Sequence, residues 1–190
     1  MSKQFLIAIV VSVLALFGIY ALTSNKDEAK TTSNTSTSQL SNNVTGKNAK
    51  KVSLVEYGDF QCPACGQYHP LVKQLIEKYN NDIQFQFRNY PLQQIHPNAR
   101  AASRAAEAAA KQNKYWEMHD LLYEQQDSWN ASSAANTVFE AYAGQLGLNV
   151  AKFKTDFASS EVNSIITADF NEGTKLGVTS TPTFFLQGKK

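Results

Sequence analysis

The sequence predicts an α/β fold with a block of helices inserted into it. Three observations carry the prediction. Both cysteines of the 190-residue chain, Cys62 and Cys65, sit where an apolar run gives way to a helical pattern. Alternating or apolar strand-like segments flank that helix. About 80 residues of helical character then separate them from a last strand-like run opened by a proline.

Residues 5–22, FLIAIVVSVLALFGIYAL, carry no charge and reach the roughly 18-residue threshold of a membrane-spanning helix. The run exceeds the about 7 to 15 residues of a signal-peptide core, and no small-x-small cleavage site follows it. A retained anchor is expected in preference to a cleaved signal. Lys3 would stay cytoplasmic, although Lys26 and Lys30 on the far side weaken that argument. Residues 23–43 are Ser, Thr and Asn with scattered charge, and they read as a flexible tether of roughly 25 Å.

The folded part is expected to start at residue 44. Val52, Leu54, Val55 and Tyr57 form a short apolar strand. Glu56 shares side-chain parity with Val52 and Leu54, which leaves burial and escape to solvent at the strand end both open. The next helix carries the cysteines, with Leu71, Val72, Leu75, Ile76 and Tyr79 as its apolar stripe and Pro70 as a bend. Ile83 to Tyr90 alternates through Ile83, Phe85 and Phe87 as a second strand, and Pro91 and Pro97 bracket a loop. The insertion, residues 97–176, comprises helices over Asn98–Gln112, which is rich in alanine, Lys114–Gln126, Ser133–Leu146, Val150–Ala158 and Val162–Leu176. Gly147, Asn149 and Gly177 serve as stops. Its aromatic residues and Met118 read as core. Val178 to Leu186 is a last strand with Pro182 at its entry, where proline is tolerated, and a turn follows at Gln187 to Lys190.

The chemistry gathers at Cys62-Pro63-Ala64-Cys65. With Cys62 as N-cap and Pro63 as the first helical residue, the Cys62 sulfur faces unpaired N–H groups and the positive end of the helix dipole. Both favour the thiolate, so Cys62 is the expected nucleophile. Cys65, one turn on, is shielded and within reach for a disulfide. Two other readings compete. A structural disulfide would close so small a loop that it removes little chain entropy. Zinc on Cys62, Cys65 and His69 lacks the fourth ligand of a structural site. No metal and no cofactor beyond the Cys62–Cys65 disulfide is expected. The net charge of +2, with Lys and Arg scattered, excludes a nucleic-acid footprint.

These motifs resemble the DsbA-like branch of thioredoxin-fold thiol-disulfide oxidoreductases. The likeness runs from about Gly46 to Gly188 and rests on EYGDFQCPAC, RNYPL with a following His-Pro and Ala-rich helix, KYWEMHDLLYEQQ and GVTSTPTFFLQG. It implies a thioredoxin-like domain over residues 44–96 and 177–190. It also implies that Pro182 matches a cis-proline loop facing the active site, with Thr181 before it offering main-chain groups to an extended substrate. Glu56 and Arg88 resemble the acidic and basic positions buried beneath the disulfide, the carboxylate helping to move protons at Cys65. Pro63 and Ala64 would support the site. The implied activity is introduction of disulfides into secreted or cell-envelope proteins, by a single-pass membrane protein that a membrane redox partner reoxidises. A reductase or isomerase with the same cysteines, and a redox-inactive peptide- or metal-binding module, are the alternatives. The resemblance implies a further strand and helix beyond Lys190, so the sequence is expected to be a fragment or a truncated protein. Phe184, Phe185 and Leu186 are expected to lack cover.

Overall fold

Strand β2 (Val52–Gly58) and strand β3 (Ile83–Asn89) pair in parallel, with Glu56 opposite Phe87 and Tyr57 opposite Arg88. Helix α1 (Pro63–Tyr79) makes the crossover that parallel pairing requires. Strand β4 (Thr183–Leu186) adds antiparallel to β2, and strand β1 (Asn43–Thr45) antiparallel to β3, giving the order β1-β3-β2-β4. This computed structural model describes residues 39–190. The expected anchor at residues 5–22 and most of the expected tether lie outside the described residues. Among the described residues no helix is long and apolar enough to cross a membrane.

Strand parity divides the core. Leu54, Phe85, Phe87 and Phe184 face the larger cluster with the α1 residues Cys65 and Val72, whereas Val55, Tyr57 and Phe185 face a smaller one with Tyr90, Phe170 and Val178. Between β3 and β4 run α2 (Ala99–Ala110), α3 (Tyr115–Glu124), α4 (Gln126–Trp129), α5 (Ala135–Gln145), α6 (Val150–Ala158) and α7 (Ser160–Lys175). Six alanines of α2 are fully buried, and their small side chains let the neighbouring helices approach it closely. Gly147 and Gly177, at φ 72° and 75°, follow α5 and α7 as expected. Asn149, expected as a stop, instead starts α6, its side chain accepting from Lys152 N at 2.9 Å.

Four sequence expectations are corrected. The buried side of α1 is Cys65, His69 and Val72, with Ile76 half-buried, while Leu71, Leu75 and Tyr79 lie 37–60 % exposed. Both rows keep helical spacing, and the sheet and α3 cover only the one that carries Cys65, His69 and Val72. Ser41 and Asn43, read as tether, are buried. Ser41 N donates to Asp169 Oδ1 at 2.9 Å, and Asn43 Nδ2 donates to Glu107 Oε1 at 2.7 Å. Their polar composition conceals buried partners distant in sequence. The last strand spans only Thr183–Leu186, because the chain from Val178 to Pro182 forms the loop that reaches Cys62. Of the three residues expected to lack cover, Leu186 is 54 % exposed, Phe184 is half-buried and Phe185 is buried against the Tyr57 ring at 5.7 Å.

Candidate active site

Three elements meet at the cysteines: the end of β2, the first turn of α1 and the loop before β4. Cys62 is the N-cap, extended at φ −68° and ψ 121°, and Pro63 opens the helix. The turn leading in is fixed by Asp59, which is fully buried. Its carbonyl accepts from Cys62 N at 3.0 Å, its Oδ1 from Gln61 N at 2.8 Å and its Oδ2 from Leu92 N at 2.9 Å, and His96 Nδ1 lies 2.7 Å from Oδ2. Gln126, on α4, donates its Nε2 to the carbonyls of Phe60 at 2.7 Å and Cys62 at 3.0 Å. A Cβ on Gly66 would stand 2.8 Å from Gln126 Oε1, so a larger residue there would displace the Gln126 amide from this position. Asp59, His96 and Gln126 lie within the motifs quoted from the sequence but received no role there. Asp59 next to the cysteines was the available signal for one of them; nothing local shows that Gln126 reaches Cys62, 64 residues away.

Both cysteines are free thiols and buried, Cys62 at 7 % exposure and Cys65 at 1 %. They differ sharply in acidity. A hydrogen bond from the Cys65 thiol, outweighing the opposing effect of burial, brings Cys62 down to about 5. The backbone N–H groups of Cys65 and Ala64 add to this. Cys65 moves far upward, because its proton is held by Cys62 and because it is buried near the charges of Cys62 and Glu56. At pH 7 a thiol of pKa 5 is about 99 % thiolate, against about 1 % for one of pKa 9.

Thr181 and Pro182 reach the site as expected. Their peptide bond is cis, Thr181 is buried, and its carbonyl oxygen lies 3.4 Å from Cys62 Sγ. Glu56 is buried on the cysteine-bearing face of the sheet, and desolvation pushes its carboxyl up to about 8, so it is protonated at pH 7. A polar groove of about 290 Å³ lies beside Pro63 and Gly66, with Gln126 and Asp127 opposite.

Arg88 is elsewhere. It pairs with Tyr57 across the strands and shares the opposite face of the sheet from Glu56. Its guanidinium lies 3.6 Å from Asp169 and 3.2 Å from Glu172, both on α7, and donates to the Ser41 carbonyl. The expectation that Arg88 lies beneath the disulfide fails by one residue of strand parity: Phe87 projects to the cysteine side and Arg88 away from it.

Comparison with known proteins agrees with this geometry. A family model described as thioredoxin matches residues 38–190. The crystal structure of a thioredoxin-like oxidoreductase from Silicibacter pomeroyi is similar at 28 % identity and a TM-score of 0.64, covering 76 % of this chain and 79 % of that one. BdbD from Bacillus subtilis shares the fold at 24 % identity and a TM-score of 0.67, covering 77 % and 81 %. Among curated sequences, the Na(+)/H(+) antiporter NhaA 3 of Salinispora tropica is 37 % identical over 147 residues, covering 77 % of this chain and 22 % of the antiporter. The chain thus spans about a fifth of the length of such curated relatives. With the family model extending over the whole described fold and the paired cysteines seated at the helix N-terminus, the chain belongs to the thioredoxin family, in its DsbA-like branch of thiol-disulfide oxidoreductases.

Proposed function

We propose that the protein is an extracytoplasmic, membrane-anchored oxidase that transfers its Cys62–Cys65 disulfide to reduced secreted or cell-envelope polypeptides. The observation that carries this reading is the opposed acidity of the two thiols, Cys62 near 5 and Cys65 far above its ordinary value. A substrate thiolate attacks Cys62 Sγ in the disulfide form, the Cys62–Cys65 bond breaks, and Cys65 leaves as a thiolate. A second substrate thiolate attacks the substrate sulfur of the mixed disulfide, forming the substrate disulfide and releasing Cys62 as a thiolate. Two electrons pass from substrate to enzyme. Glu56, protonated at pH 7, supplies the proton Cys65 takes up, and recovers it when a membrane redox partner reoxidises the pair.

The stable Cys62 thiolate favours the reduced enzyme and therefore makes the disulfide oxidising. The potential is expected near the upper end of the roughly −270 to −120 mV range of such sites, a range worth about 7 kcal/mol for two electrons. Main-chain groups of Thr181 beside Cys62 suit an extended substrate bound by strand addition, which selects little among side chains. Residues 5–22 would hold the domain at the membrane, with the following Ser/Thr/Asn residues as its tether. No nucleic acid and no further cofactor enter this account.

Incubation of the oxidised protein with a reduced, unfolded disulfide-containing substrate tests the reading. Stoichiometric substrate oxidation, with a Cys62–Cys65 potential nearer −120 than −270 mV in glutathione buffers, is expected. A potential near −270 mV, with reduction or reshuffling of scrambled substrate outpacing oxidation, would assign the site to a reductase or isomerase.

A further inference from the structure

One turn beyond Cys65, α1 presents His69 to a second site. His69, with His119 and Asp120 of α3, lines a cavity of about 190 Å³ that also takes in Val72, Lys73 and Trp116. One ligand-type atom from each of His69, His119 and Asp120 lies within 4.8 Å of the other two. Asp120 Oδ1 is 3.1 Å from His119 Nδ1 and 3.7 Å from His69 Nε2. The Nε2 atoms of both histidines are buried without a hydrogen-bond partner. A buried polar atom left unpaired is destabilising, and this pocket holds two.

We infer that His69, His119 and Asp120 form a mononuclear site for a late first-row divalent cation of the Zn²⁺ class. Two imidazoles and a carboxylate are the donor set such ions take when three protein ligands leave one coordination position open, here toward the cavity. Metal–ligand distances of about 2.0–2.2 Å place tetrahedral ligand atoms roughly 3.3–3.5 Å apart. The set therefore needs to close by at most about 1.5 Å at its widest. His119 is oriented for this by rings packed around it, Phe87 at 4.9 Å, Trp116 at 5.1 Å and Phe60 at 5.5 Å between centroids.

The charges around the cavity set the conditions for entry. Lys73 Nζ lies 2.8 Å from Asp120 Oδ2 and 3.1 Å from Glu124 Oε1, and Glu77 lines the same wall. An arriving cation repels the Lys73 ammonium from Asp120, and Glu124, half-exposed beside it, accepts the displaced group. The sulfurs take no part: no such cluster among the described residues includes a cysteine. This set differs from the Cys62, Cys65 and His69 combination considered from spacing, sharing only His69.

The test uses the full chain in detergent, oxidised so that the cysteine sulfurs are tied up in the disulfide, and titrated with Co²⁺ and then Zn²⁺. One equivalent should bind, giving tetrahedral Co²⁺ ligand-field absorption without thiolate charge-transfer bands, and Zn²⁺ should displace it. His69→Gln and Asp120→Asn should each weaken binding by more than about tenfold, since loss even of an outer-shell partner costs about 10 to 100-fold. Both positions line the cavity wall, so the test does not require a His119 variant to fold. No saturable binding to the oxidised chain, or binding that neither variant weakens by about tenfold, overturns the site.

Discussion

The largest single contribution to the acidity of Cys62 comes from the Cys65 thiol, ahead of either N-terminal amide taken singly. Cys65→Ala should therefore raise the Cys62 pKa above about 5 while leaving it below the about 8.5 of a free cysteine. Thiolate absorbance against pH reads the shift; an unmoved midpoint would return the effect to the helix terminus. Glu56 makes a second prediction. Its folded pKa of about 8 lies above its unfolded value of 4.5, so its neutral burial stabilises the fold fully below pH 4.5, and that contribution is lost as pH rises through 8. Glu107, raised to about 7, acts in the same direction, and His69, lowered to about 4, acts oppositely below pH 6.5. The Glu56 share is thus the difference between parent and Glu56→Gln. In urea titrations the parent should lose a few kcal/mol more than the variant between pH 5 and 8. Stopped-flow rates should show Glu56→Gln slowing reduction at Cys65 without moving the Cys62 pKa. Identical pH slopes and rates would remove Glu56 from the mechanism.

At the scale of elements, β3 and α7 are joined by Arg88, whose charge is shared by Asp169 and Glu172, with Asp169 fully buried. Arg88→Leu leaves Asp169 without its cationic partner and should cost about 3–5 kcal/mol of stability. Because Arg88 lies on the far face of the sheet, the Cys62 pKa should stay near 5. A variant of parental stability with a shifted Cys62 pKa would reverse that assignment. Gln126→Ala removes both bonds from α4 to the active-site turn and should cost about 1–3 kcal/mol in denaturant unfolding. Local patterns made most of these elements legible. Val150–Ala158 matches in full, and Cys62 with Pro63 marks the start of α1. What stayed hidden depends on partners distant in sequence. β1 is three residues long and finds β3 about 40 residues on, Gln126 reaches back 64 residues to Cys62, and Arg88 shares its strand with Phe87 but not its face.

On the scale of the whole molecule, the sheet and the inserted helices bring together groups that no single segment contains. The parallel β2–α1 unit places Cys62 at a helix start, the loop before β4 brings Thr181 to 3.4 Å, and Glu56 is buried on the same face. The cysteine pair was readable in the sequence from a local signature, whereas the place of Pro182 at the site came from the family resemblance and strand parity left the burial of Glu56 open. The source of the Cys62 acidity was not readable, because a sulfur–sulfur hydrogen bond requires coordinates. All of this predicts one quantity, the ionisation of Cys62 in the reduced protein. Thiolate absorbance of the reduced full chain followed from pH 3 to 10, with Cys62→Ser as the blank, measures it directly. The account predicts a transition with its midpoint near 5 that disappears in Cys62→Ser. A single transition at about 8.5, the value of an ordinary cysteine, would contradict it.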